Sequence, residues 1–270
     1  MIHQVIDFFK VYPGLSSVLI FIFGLCIGSF LNVCIVRFPK EESVAKGRSR
    51  CPHCGETIAW FDNIPLLSIL ILKGKCRHCK KPISIRYPLV ELLTAVSLTG
   101  LYHFLGPTVQ FVFYGYLISS LIIVTFVDFK HQIIPDEVSI TGILFGLAMS
   151  FFFPVLQGEF DKRLALADSS LGMLVGIGLI YGVAILGQFL FKKESMGGGD
   201  LKLLAMIGAF VGFQKTLLTF FIAPLIATPI GLVLRITKKV EIIPFGPYLS
   251  LAAIIALIWG REILARLFPF

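Results

Sequence analysis

The sequence predicts an all-α polytopic membrane protein, with about eight transmembrane helices and a small cytoplasmic insertion that binds zinc through four cysteines. Three observations predict it. Of 270 residues, 56% are apolar and 15% charged, with a mean hydropathy of +0.88, whereas soluble domains carry about 25% charged residues. Uncharged runs close to the ~20 residues that cross a bilayer recur along the chain. The one long polar stretch between them holds two Cys-x-x-Cys pairs.

The first run, residues 15–36, has little positive charge before it and no small-x-small cleavage site after it. It is therefore expected to stay as a span rather than leave as a signal peptide. Within it, Gly28-Ser29-Phe30-Leu31-Asn32 offers small residues and an amide to a neighbouring helix. Cys26 and Cys34 read as small packing hydrophobes. Residues 38–87 form the polar insertion. Residues 88–105 are the next span and carry Glu91, followed by uncharged spans at 108–127, 138–156, 169–191, 216–234 and 242–260. Residues 201–213 are too short for a comfortable crossing and read as a short or tilted helix. The expected organisation is a first transmembrane helix in 1–37, the insertion in 38–87 and a seven-helix core in 88–270.

Charge gives the orientation. With the N-terminus outside, 18 of the 24 Lys and Arg residues fall in the inside segments 37–87, 128–137, 192–202 and 235–241, leaving 6 outside. The positive-inside rule favours this arrangement. Topology thus accounts for the net charge of +8. The expected neighbour is an anionic lipid leaflet, and no nucleic acid is expected.

Cys51-Pro52-His53-Cys54 and Cys76-Arg77-His78-Cys79 have the spacing of a zinc site, in which four thiolates close a tetrahedron and staple a segment too small for its own core. Redox pairs are the alternative, and a reducing cytoplasm disfavours structural disulfides there. Gly74 allows a tight turn before the second pair and is a secondary candidate for cofactor binding.

The acids carry the chemistry. Asp128 ends one uncharged run, and Asp200 opens the short helix after Met196-Gly197-Gly198-Gly199. A carboxylate beside hydrocarbon is costly unless paired, solvated or used. Two of them at one membrane boundary fit a catalytic dyad sharing a proton, or a satisfied structural pair. The helix ends assign the proton to Asp128 and the water-activating anion to Asp200. Pro135 stops the preceding helix, and Asp136 is expected to cap the next. Lys130 and Lys202 follow the aspartates by two residues and are expected to point away from them, toward lipid headgroups. Glu91 lies early in its span, where an ionisable group is a functional candidate or pairs with a nearby cation. A proton-relay transporter would show repeated halves, and none is found.

In order along the chain stand Gly28-Ser29-Phe30-Leu31-Asn32-Val33, the two cysteine pairs flanking Asn63-Ile64-Pro65-Leu66-Leu67-Ser68, and Arg86-Tyr87-Pro88-Leu89-Val90-Glu91-Leu92. They are followed by Asp128 with Ile134-Pro135-Asp136, then Met196 through Leu204, and Ile243-Pro244-Phe245-Gly246-Pro247. This series resembles the bacterial type IV prepilin leader peptidases, within the Gly-x-Gly-Asp class of membrane aspartyl proteases. The resemblance implies an inner-membrane enzyme that cuts the short basic leaders of prepilins and type II secretion pseudopilins at the cytoplasmic face. It implies Asp128 and Asp200 as the catalytic residues. It also implies S-adenosylmethionine-dependent N-methylation of the new terminus, associated with the tetracysteine insertion. The sequence contains no glycine loop of a soluble methyltransferase, so the cofactor residues stay open, with Glu91 and Gly74 as candidates.

Overall fold

A computed structural model describes residues 11–191, 197–238 and 243–267. Met196 of the glycine motif, and Lys10, Lys192, Lys193 and Lys239 of the charge count, lie outside them. Among the described residues the chain is helical, with no named strand and only two isolated bridges, both in the insertion. Six helices are long and apolar enough to cross a membrane. The expectation of about eight spans differs for two reasons. Residues Asp136–Phe152 form a helix of 17 residues, and Gly198–Lys238 runs on as one helix across a break at Gly212.

The chain divides into two compact units, Met1–Ile123 and Val124–Phe270. In the first, α1 (Pro13–Arg37) and α3 (Arg86–Leu105) pack antiparallel. Their register follows the small residues: a Cβ on Gly24 would lie 2.6 Å from Ala95 Cα, and one on Gly28 would lie 2.6 Å from Glu91 Cα. One turn further, Asn32 Nδ2 donates to Tyr87 O at 3.0 Å. Without a hydrophobic drive between helices in lipid, such close approach and cross-helix hydrogen bonds are what hold the pair. The contact expected at Gly28 and Asn32 is therefore present.

The insertion lies between these helices. Its short α2 (Leu67–Ile71) packs against a 3-10 turn at Trp60–Asn63. α4 (Val109–His131) passes from the first unit into the second.

In the second unit, α5 (Asp136–Phe152), α6 (Lys162–Phe191) and α8 (Gly246–Leu267) surround α7 (Gly198–Lys238). The first piece of α7 is buried on all sides: Leu203, Leu204, Met206, Ile207, Ala209 and Phe210 are each at most 1% exposed. A Cβ on Gly208 would strike the Gly172 backbone of α6, so these helices touch at main-chain distance.

Gly212 ends that first piece with φ +76°, a conformation that glycine adopts freely. A helix break inside a membrane exposes backbone groups that need partners. Ser169 Oγ donates to Ala209 O at 2.6 Å, and Gln157 Nε2 donates to the same oxygen at 3.3 Å. Beyond the break, Phe213 N donates to Asp168 Oδ1 at 3.1 Å. The uncharged window at 169–191 starts one residue after Asp168, and no local pattern there marks it as a cap.

Candidate functional site

The C-terminal turn of α4 and the start of α7 carry two conspicuous acids of the second unit, and the start of α8 meets the first of them. Asp128 is 5% exposed. Its Oδ2 accepts a hydrogen bond at 2.9 Å from the backbone N–H of Gly246, the first residue of α8. That N–H is one of the unpaired donors at a helix N-terminus, where an anion is favoured. A side chain is excluded here, because a Cβ on Gly246 would lie 2.8 Å from Asp128 Oδ2. The sequence singled out the Gly246 motif without giving it a contact.

Asp200 sits in the first turn of α7, with the backbone of Gly197 hydrogen-bonded to its carboxyl group. The charge of Asp128 acts on Asp200, so the two carboxyl groups share one electrostatic environment. Asp128 stands at the negative end of α4 and also at the positive end of α8. The two ends act on it in opposite senses, so the end of α4 alone does not decide which of the two acids would hold a proton.

The entry to α7 is fixed by the α4–α5 connection. A Cβ on Gly199 would lie 3.0 Å from Ile134 Cβ. Lys202 Nζ donates to both oxygens of Asp136 at 2.7 Å. This corrects two expectations. Asp136 is the first helical residue of α5 behind Pro135, makes no cap hydrogen bond, and serves instead as the partner of Lys202. Lys202 therefore turns to a carboxylate rather than to headgroups. With both side chains about half exposed, the pair contributes little stability, and its effect is to hold Asp200's helix start in register.

The first unit holds the cysteines. The Sγ atoms of Cys51, Cys54, Cys76 and Cys79 all lie within 4.8 Å of one another, and Cys51 and Cys79 are 3.9 Å apart. Zn–S bonds of ~2.3 Å in a tetrahedron place sulfurs about 3.8 Å apart, so the cluster fits a four-thiolate metal. Each pair opens a turn of the same form: Gly55 N donates to Cys51 O, and Lys80 N to Cys76 O. Gly55 and Lys80 both have positive φ there, 72° and 58°. A salt bridge between Arg77 and Asp62, with donor–acceptor distances of 2.6 and 2.7 Å, ties the second pair to the Trp60–Asn63 turn. The Arg77 guanidinium holds the Asp62 carboxyl below its usual range.

The other two candidates also lie in the first unit. Gly74 adopts φ +70° in the turn before Cys76, with its N–H donating to Ile69 O at 2.9 Å. Glu91 is 6% exposed and its Oε2 accepts the Leu66 N–H at 2.9 Å, with the Ser29 hydroxyl also on the carboxylate. Among the described residues no cation lies within salt-bridge distance of it.

Comparison with known proteins follows the same division. A family described as "Bacterial Peptidase A24 N-terminal domain" matches residues 22–105, and one described as "Type IV leader peptidase family" matches residues 115–232. The chain is similar to proteins named "Prepilin leader peptidase/N-methyltransferase" in several bacteria. The one from Myxococcus xanthus is 39% identical over 223 residues, covering 83% of this chain and 64% of that protein. The Aeromonas hydrophila protein is 36% identical over 278 residues, 93% of each chain. The Pseudomonas aeruginosa protein is 35% identical over 286 residues, 96% of this chain and 95% of that protein. No solved structure matches the chain.

Proposed function

Since the chain belongs to the type IV leader peptidase family, whose members are aspartic peptidases that also bear the name N-methyltransferase, we propose that Asp128 and Asp200 are the pair that cleaves prepilin leaders. The observation that carries this reading is the buried Asp128 carboxyl, oriented by Gly246 and acting electrostatically on Asp200. One carboxylate takes a proton from water as it attacks the scissile carbonyl, and the other carboxyl protonates the carbonyl oxygen. The resulting tetrahedral species collapses with a proton delivered to the leaving amine. No covalent intermediate with the protein is required.

The substrates are prepilins and, in the fuller reading, pseudopilins of type II secretion. Their apolar helix lies in lipid while the basic leader stays in the cytoplasm. This places the protein in the inner membrane, N-terminus outside, with eight spans once α5 and the two pieces of α7 are each counted. The functional division is a first transmembrane helix in 1–37, the metal-bearing insertion in 38–87 and the peptidase core in 88–270. Cys51, Cys54, Cys76 and Cys79 hold a structural Zn²⁺, whose four ligands leave no open position for a reacting group. S-adenosylmethionine supplies the methyl group for the freed amine.

The test is incubation of purified protein in membranes with a prepilin, using wild type, Asp128→Asn and Asp200→Asn, with products read by mass. Loss of cleavage in both variants supports the pair. Cleavage at the wild-type rate by either variant removes it.

A further inference from the structure

The insertion is rich in charge, yet it leaves a compact apolar surface uncovered. Trp60, Leu67, Leu70 and Ile71 are 76%, 48%, 73% and 62% exposed. They belong to two elements that pack together, the Trp60–Asn63 turn and α2. The depth of that surface is set by the hydrogen bond from Leu66 N to Glu91 Oε2, immediately before α2. Glu91 lies five residues beyond Arg86, the start of α3, or about 7 Å along the helix at the usual rise. Its side chain leans back toward that start.

α2 therefore begins level with the opening turns of a membrane span. At the same level α3 exposes Leu89, Leu92 and Leu93 outward. Arg86 stacks on Tyr87 at 4.8 Å, a pairing suited to the boundary between headgroups and hydrocarbon. Exposed Lys73 and Lys75 follow α2 directly. The chain turns sharply to reach this place: Leu66 has φ 57° and ψ −45°, a costly conformation for a branched residue. Glu91 and Ser29 hold it there.

We propose that α2 and the Trp60–Asn63 turn form an interfacial lipid anchor, which seats the tetracysteine insertion in the headgroup layer with Glu91 as its latch. Membrane lipid is the occupant because the surface continues the apolar face of α3 at the same depth. The apolar residues enter the boundary between headgroups and acyl chains, and the lysines meet anionic headgroups.

Trp60 and Trp259 are the only tryptophans, which gives a direct test. Full-length protein carrying Trp259→Phe is placed in nanodiscs of phospholipid brominated near the carbonyl end of the acyl chains. Trp60 emission is expected to fall about twofold or more relative to plain lipid and to resist iodide. In the same background, Leu70→Asp with Ile71→Asp is expected to reverse both effects while four-thiolate zinc content and helix content stay unchanged. Glu91→Gln keeps an acceptor for Leu66 N–H and is expected to retain the quenching, whereas Glu91→Ala loses it. Trp60 open to iodide and untouched by bromolipid would overturn the proposal. So would shielding of Trp60 that arises only when a prepilin is added, because the occupant would then be a peptide.

Discussion

The amide of Gly246, which opens α8, donates to Oδ2 of Asp128 at 2.9 Å with no room for a side chain between them. Gly246→Ala would put a Cβ 2.8 Å from that oxygen and 3.3 Å from Val124 Cγ1, displacing the carboxyl group. A shift of this size at a reacting group costs about 10- to 100-fold in kcat. Steady-state cleavage of a prepilin should show that loss in kcat, with methylation of a pre-cut peptide unaffected. An unchanged kcat would show that the amide does not position the acid.

The break at Gly212 gives a stability prediction. Asp168→Ala leaves the Phe213 N–H without its acceptor and should lower stability by about 1 kcal/mol, the usual worth of a cap. Asp168→Asn retains an acceptor and should cost less. Gly212→Ala should cost more than either, because φ +76° is strained for alanine and its Cβ would meet the Asp168 carboxylate. Thermal unfolding in detergent measures the order; a harmless Gly212→Ala would contradict it.

Metal removal should separate the two activities. The purified protein should carry about one zinc per chain, lost in Cys51→Ser. Chelation should open the insertion to protease while prepilin cleavage continues at close to its starting rate. If cleavage stops while the insertion remains protease-resistant, the metal has a role in the peptidase step.

The Asp62–Arg77 pair gives a pH dependence. The hydrogen-bonded guanidinium holds Asp62 below its ordinary range. A carboxyl group lowered on folding stabilises above its unfolded pKa, about 3.9, and that contribution disappears as pH falls through the lower folded value. Asp62→Asn should therefore weaken the insertion at pH 6, and its difference from the parent should shrink as acid protonates Asp62 through its lowered folded value. Unfolding followed by Trp60 emission in the Trp259→Phe background reads the difference. A gap that persists undiminished in acid would rule out this pair as its source.

Much of this was readable from sequence where one local rule dominated. The cysteine spacing led to four sulfurs within 4.8 Å, and Gly28 with Asn32 led to a close helix contact bonded to Tyr87. The long uncharged runs led to membrane helices. What escaped depended on partners far along the chain. Asp136 had every local mark of a cap, but Lys202, 66 residues away, takes its carboxylate. Asp168 drew no reading from the sequence, because nothing nearby announces that the helix at Gly212 breaks against it. Glu91 was recognisable as an unusual membrane acid, yet its acceptor role for Leu66 depends on where the insertion returns to α3. The setting of Asp128 was legible only in part: α4 could be read, but the end of α8 that meets Asp128 could not.

The central claim is that the acids at 128 and 200 act as one unit. The sharpest measurement is the prepilin cleavage rate of Asp128→Asn, Asp200→Asn and the double variant, each also tested for methylation of a pre-cut peptide. The account predicts that each single change lowers cleavage by about 1,000-fold or more, that the double is no worse than either single, and that methylation persists. Losses that multiply in the double variant, or a single variant cleaving at the wild-type rate, would contradict it.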